Sequence, residues 1–352
     1  MKSVTNPAEV LVGFMHRYFI WIIIVSYVVA AIAPTFGLWI QSAKQTIVIS
    51  QNRLVFSLPL FMLASLLFNA GLGVKTKELT EILHKPSLLL GGLVGNFATP
   101  LAFIVALSFA MKLWHNPEEV QQILVGLALL ASMPIAGAST AWTQNANGNL
   151  ALSLGLVLLT TFLSPVITPL ILDAIGFVTI DDYSEDLHEL ASGGVISFLG
   201  IWVILPSLLG VLTHWLIGEH RIATVKPYAK LINYFVLVLL NYSNASISLP
   251  EAISQPDIDL LAIMLVITLS MCIAAFVSGY FLAFMFRADR NGTVALMFSL
   301  GMNNNGTALV LASVALSDHP QVMLPIIFYN LVQHLVASLV DFTIFQRLSR
   351  VD

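Results

Sequence analysis

Apolar residues in this chain come in long unbroken runs, not at the three-and-four spacing of a helix with one wet face. The runs fall near 14–33, 54–74, 86–113, 120–141, 150–172, 191–217, 228–245, 260–286, 293–316 and 322–345. Each is close to the roughly 20 residues that a helix needs to cross a bilayer. The pattern predicts ten spanning helices. Two runs are interrupted by small and polar residues. One holds Pro134-Ile135-Ala136-Gly137-Ala138-Ser139-Thr140, followed by Asn145, Asn147, Gly148 and Asn149, in a stretch from Val120 to Leu172 with no charge. The other holds Gly301-Met302-Asn303-Asn304-Asn305-Gly306-Thr307, between Asn291 and Ser317, also free of charge.

Composition agrees: 58% of residues are hydrophobic, 10% are charged and the mean hydropathy is +0.89. Soluble domains carry about 25% charged residues, so a soluble enzyme or nucleic-acid-binding domain is excluded. The first run is too long for a signal h-region and no small-residue cleavage pattern follows it, so it reads as a retained helix. A single cysteine, Cys272, rules out an intrachain disulfide, and no thiol cluster points to a transition metal.

Basic residues give an independent check on the helix count. With ten spans and an inside N-terminus, Lys2, Arg17, Lys75, Lys77, Lys85, Arg221, Lys226, Lys230, Arg287, Arg290, Arg347 and Arg350 share the cytoplasmic side. Only Lys44, Arg53 and Lys112 fall on the other. The chain is expected in the inner (plasma) membrane with both termini cytoplasmic. An acidic connection near 173–189 divides it into five-helix halves, 14–172 and 187–347. Five is odd, so the second half is inverted, and both interruptions lie in the fourth helix of their half. Matched interruptions in inverted halves are the sequence sign of a transporter's binding site.

Backbone broken inside the bilayer leaves polar groups costing several kcal/mol each unless protein, water or solute satisfies them. Where two broken helices cross, half-helix N-termini suit an anion and freed carbonyls suit a cation. Ser139, Thr140, Ser153, Ser299 and Asn303–Asn305 add hard oxygen ligands. Three adjacent amides cannot share one helix face, which argues against packing alone.

At these residues the sequence resembles the bile acid:sodium symporter family. The resemblance rests on Asn69-Ala70-Gly71-Leu72-Gly73, Asn96-Phe97-Ala98-Thr99-Pro100, Pro134 to Thr140 with Gly148 to Ser153, Leu163-Ser164-Pro165 with Thr168-Pro169, and Gly301-Met302. It implies ten helices in inverted repeats, a core with two crossed helices, a flanking panel, and alternating access with sodium sites beside the crossing. The implied cation ligands are Ser139, Thr140, Ser153, Ser299, Leu300, Met302 and Asn303. The implied substrate contacts are Gly137, Asn304, Asn305, Gln333, His334 and Asn96.

The chain departs from the family pattern at several of these positions. The family's asparagine after the first serine is Thr140, its threonine one turn beyond Ser153 is Val157, and its glutamate before Gly-Met is Ser299. Its next glutamine is Asn303, and the polar pair of the last helix, often His-Asn, is Gln333-His334. Without the carboxylate, two sodium ions side by side would repel, so one cation at most is expected, or a cation bound as a pair with an anionic substrate.

The expectation is a secondary transporter of a small organic anion, with sodium as the coupling ion. No further cofactor, nucleic acid or obligate protein partner is expected, and lipid is the surrounding contact. Substrates in the resembled family run from conjugated sterols to oxo acids and pantothenate-like carboxylates, and this sequence does not choose among them. Uniport, or proton coupling through His334 or Asp341, is the alternative. An intramembrane hydrolase using Ser139 and His334 is the rival from another class. Gly91, Gly95 and Ser153 also suit plain helix packing, and Asp341 an interfacial position. The sequons at Asn241, Asn244, Asn291 and Asn305 read as chance matches.

Overall fold

A computed structural model describes residues 7–49, 52–74 and 86–345. Six of the basic residues counted above, Lys2, Lys75, Lys77, Lys85, Arg347 and Arg350, lie outside the described residues. The described chain divides into two compact units, each drawn from both halves of the sequence: Met1–Thr76 with Gly200–Pro256, and Lys77–Leu199 with Asp257–Asp352.

The first unit opens with α1 (Pro7–Arg17), α2 (Phe19–Ile32) and α3 (Thr35–Ser42). α2 and α3 meet at 89° across Ala33-Pro34. The corner is held by Tyr242 Oη, which donates to the Ala33 carbonyl at 2.6 Å and accepts from the Gly37 amide at 3.2 Å. An antiparallel hairpin follows, β1 (Lys44–Ile49) with β2 (Asn52–Ser57). It corrects the all-helical expectation: β-branched Thr46, Ile47, Val48, Ile49 and Val55 favour strand, and the run beginning at Leu54 turns helical only at Leu58. There Ser57 caps α4 (Leu58–Leu72) by accepting from the Leu60 amide, and Pro59 occupies the first turn where its missing N–H costs nothing.

α4 packs on α11 (Leu205–Ile217), and α12 (Glu219–Ser254) packs on α2, α3 and α4. α12 runs well past the 228–245 expected from hydropathy. Two of its buried asparagines meet partners, with Tyr27 Oη donating to Asn241 Oδ1 at 3.1 Å and Gln41 Nε2 to Asn244 Oδ1 at 2.8 Å. Burial of Asn241 and Asn244 in a helix agrees with reading their sequons as chance.

The second unit contains α5 (Pro86–Ala110), α6 (Pro117–Ser132), α7 (Ala138–Asn145), α8 (Leu150–Gly176), α9 (Asp181–Glu189) and α10 (Val195–Phe198). From the later part of the chain it takes α13 (Ile258–Met285), α14 (Arg290–Gly301), α15 (Asn305–Ala315) and α16 (Met323–Val340). Leu88, Leu89, Ile135, Leu152, Leu156, Ala283, Ala295, Leu296 and Leu300 form a common core for α5, α8, α13, α14 and the first break. Three internal prolines in this unit, Pro100, Pro165 and Pro169, withdraw a helical donor, and Ser164 compensates for one of them. Pro165 has no N–H for the Thr161 carbonyl, and Ser164 Oγ donates to that carbonyl at 2.7 Å instead.

Among the described residues, six helical stretches are long and apolar enough to cross a membrane, or seven counting the bent α2–α3 pair as one. The expected fourth and ninth spans are each two short helices, α6 with α7 and α14 with α15. The stretch at 191–217 is also irregular, with π turns at Leu190–Gly194 and Leu199–Ile204.

Close approach in the first unit depends on two glycines. A side chain on Gly71 would strike the Ser207 carbonyl, and one on Gly210 the Phe68 carbonyl. His214 Nδ1 lies 2.7 Å from the Leu72 carbonyl beside them. Gly210→Leu is expected to destabilise the protein by ~1–3 kcal/mol, as overpacking does. Gly200→Ala, with nothing within 4 Å of the new carbon in a helical stretch, is expected to leave the thermal midpoint unchanged or raise it slightly. Unfolding of detergent-solubilised protein checks both.

Candidate functional site

The two breaks are stitched to each other. Ile135 and Asn303 form an antiparallel bridge, in which the Ala136 amide donates to the Met302 carbonyl at 2.9 Å and the Asn304 amide to the Pro134 carbonyl at 3.0 Å. Each break therefore satisfies the other's backbone in a place where water is scarce. α8 supports the first break. Thr160 Oγ1 accepts from the Ile135 amide at 3.1 Å, and Thr168 Oγ1 donates to the Ser132 carbonyl at 2.6 Å.

α16 supports the second break. Gln333 Oε1 accepts from the Asn303 amide at 3.1 Å. In a continuous helix the amides of Asn303 and Asn304 would bond the carbonyls of Ser299 and Leu300. They are turned to Gln333 and Pro134, which frees those two carbonyls at the end of α14. Gly301 lets this end lie against the Phe276 ring, where any side chain would collide. Cys272 Sγ is 4.0 Å from the Gly301 carbonyl.

The three amides point three ways. Asn303 Nδ2 donates to the Leu130 carbonyl at 3.2 Å. Asn304 Oδ1 caps α15 by accepting from the Thr307 amide at 3.2 Å. Asn305 Nδ2 donates to Asn330 Oδ1 at 3.1 Å. Ser299 Oγ donates to Ser153 Oγ at 3.2 Å, and both serines are fully buried. The structure thus brings Ser153 to Ser299 across 146 residues of chain.

Several buried polar atoms at these elements have no hydrogen-bond partner among the described residues: Ser139 Oγ, Thr143 Oγ1, Asn303 Oδ1, Asn305 Oδ1 and Thr307 Oγ1. Most buried polar groups in proteins are paired. Here they collect on α7, in the first turn of α15 and in the break between α14 and α15. Thr140 Oγ1 bonds back to the Gly137 carbonyl at 2.7 Å, and Gly137 itself is exposed with open space around it. The Met302 carbonyl already accepts from Ala136, so only its second lone pair is free for an ion.

Asn96 stands apart from the stitched breaks, on α5. Gly95, its neighbour, packs against Leu300 and Leu282, which places this stretch of α5 beside α14. Both side-chain atoms of Asn96 are buried without partners, and Pro100 removes the donor for its main-chain carbonyl. His334 is buried on α16 one residue beyond Gln333. Ser139 Oγ has no hydrogen bond among the described residues, so a Ser139–His334 dyad is not formed. Asp341 is buried where α16 passes into its last turn.

Sequence reasoning passed over Thr160, Thr168, Asn330, Thr143 and Thr307. The Thr168-Pro169 pair was visible, but the hydroxyl's target at Ser132 lies on another helix. Gly91 and Gly95 meet Phe286 and Leu282, as the packing reading expects.

A sequence model of the sodium bile acid symporter family matches residues 60–255. The chain is 27% identical to the Bacillus subtilis protein YbaS over 61% of its own length and 67% of the relative's. It is 24% identical to the Bacillus subtilis sodium-dependent transporter YocS, covering 72% and 73% of the two chains. The mouse sodium/bile acid cotransporter 7 is 24% identical over 80% and 81%. With these matches and two helices broken and paired in an apolar, multi-helix chain, the protein belongs to the sodium bile acid symporter family and is a multi-pass membrane transporter, not an enzyme.

Proposed function

We propose that the protein is a secondary transporter that carries a small organic anion together with one sodium ion, by alternating access to the stitched breaks. The observation that carries this reading is the group of buried, unpartnered oxygens at the paired breaks, in which no carboxylate takes part. In this reading the chain crosses the inner membrane ten times, in inverted repeats 14–172 and 187–347, with both termini cytoplasmic.

The cation ligands would be hydroxyl and carbonyl oxygens: Ser139, Ser153 and Ser299, the freed carbonyls of Ser299 and Leu300, and Asn303 Oδ1. Thr140 and Met302 would contribute only the lone pairs their existing bonds leave. Neutral oxygens hold one positive charge well. A second ion ~4 Å away would add ~4 kcal/mol of repulsion at an effective dielectric of ~20, with no carboxylate to offset it. The bound anion supplies the countercharge instead. Its carboxylate would meet the N-terminal ends of α7 and α15, where Gly137 leaves room and the helix dipoles are positive. The side chains of Asn304, Asn305, Gln333, His334 and Asn96 would fix its orientation.

Thermal unfolding of purified protein in sodium or choline chloride, across a panel of small carboxylates, tests this reading. Stabilisation by at least one carboxylate in sodium and not in choline is expected; the same shifts in both salts would exclude sodium coupling. Ser299→Ala is expected to weaken the sodium effect ~5–150-fold in apparent affinity, the ~1–3 kcal/mol of a lost buried polar contact. Asn304→Ser keeps an oxygen for the α15 cap and removes the amide donors. It is expected to leave the unliganded stability within about a few tenths of a kcal/mol and to abolish the carboxylate response. An unchanged carboxylate response would remove Asn304 from the substrate site.

A further inference from the structure

Away from the breaks, three ligating side chains of the second unit converge. Asp186 lies on α9, in the connection between the sequence halves, and Asp318 and His319 lie in the turn between α15 and the Pro320–Val322 turn that leads into α16. His319 Nε2 is 3.6 Å from Asp186 Oδ2 and 3.9 Å from Asp318 Oδ2, and one ligand atom from each residue lies within 4.8 Å of the other two.

These separations are too long for hydrogen bonds. They lie ~0.3–0.6 Å above the ~3.3 Å edge of a tetrahedron whose corners are ~2.0–2.1 Å from a central zinc ion, and the two carboxylates offer oxygens within 4.8 Å of each other. A direct acid–histidine pair in the same unit looks different: His188 Nδ1 and Asp173 Oδ1 are 2.7 Å apart.

A second observation points the same way. Asp186 Oδ2 is itself sealed from solvent and accepts no hydrogen bond among the described residues, on a side chain that is 26% exposed. A desolvated carboxylate oxygen is costly when uncompensated, and the nearby Asp318 carboxylate adds like charge. A cation seated between the three side chains answers both costs. The His319 ring is held for the task by Tyr183, with ring centroids 4.3 Å apart, and by main-chain bonds of 3.1 Å to Leu316 and 3.2 Å from Val322. Asp318 is 71% exposed, which gives an entry path and a ligand free to close the remaining distance.

We propose that Asp186, Asp318 and His319 bind a divalent cation of the zinc type, with water in the fourth position, tying α9 to the segment that follows the second broken helix. One imidazole and two carboxylates suit zinc, whereas magnesium and calcium take oxygen ligands. The site is separate from the proposed sodium and anion site, and its existence does not depend on what the protein transports. The expectation of no transition metal rests on cysteine spacing, which does not register a set assembled from distant segments.

The test is a zinc chloride titration of the full chain, stripped with chelator and held in detergent at neutral pH, followed by calorimetry and thermal unfolding. One saturable zinc site per chain is expected, with a midpoint that rises with zinc concentration. His319→Gln and the exposed Asp318→Asn are each expected to weaken zinc binding at least ~10-fold, with their zinc-free midpoints close to that of the parent. His188→Gln, which disrupts the separate pair, is expected to bind zinc as the parent does. No saturable site, or parent-like affinity in both the His319 and Asp318 variants, would overturn the proposal.

Discussion

A polypeptide that stops being helical inside a bilayer has amides and carbonyls with no water to turn to. In this protein the two interruptions answer each other, Ala136 with Met302 and Asn304 with Pro134. This pairing fixes where α6, α7, α14 and α15 end and begin. It also explains the surrounding polar residues: Thr160, Thr168 and Gln333 take the backbone groups that the pairing leaves over.

Redirecting amides has a second effect, which is functional. Once Asn303 and Asn304 N–H groups are committed elsewhere, the last carbonyls of α14 have no helical donor. Beside them lie Ser153 and Ser299, in contact and fully buried. The same local geometry that makes the break tolerable therefore leaves hard oxygens unfilled. Where the resembled family's pattern has a glutamate, this chain has Ser299, and in the proposed function the bound anion supplies the countercharge instead.

The breaks were legible in the sequence because Gly137, Pro134, Gly301 and the three asparagines have no role in a lipid-facing helix. The family was legible from the same residues, and the matched stretch at 60–255 bears it out. The supporting contacts were not legible. Thr160, Thr168 and Asn330 look like ordinary small polar residues until tertiary structure places them opposite a broken backbone. The hairpin at Lys44–Ser57 escaped because a β-branched apolar run is ambiguous between strand and span. The bend at Ala33-Pro34 and the length of α12 were hidden for a similar reason: hydropathy does not register that Tyr242, Asn241 and Asn244 have buried partners. Asp186, Asp318 and His319 read as acidic and polar loop residues because their proximity is purely tertiary.

Hydrogen–deuterium exchange of the purified protein in sodium or choline chloride shows whether the two breaks form one ion-binding element. Sodium is expected to slow exchange in both breaks together, across 133–137 and 302–305, while the β1–β2 hairpin is unaffected. Slowing in only one break, or equal exchange of both in the two salts, would contradict it.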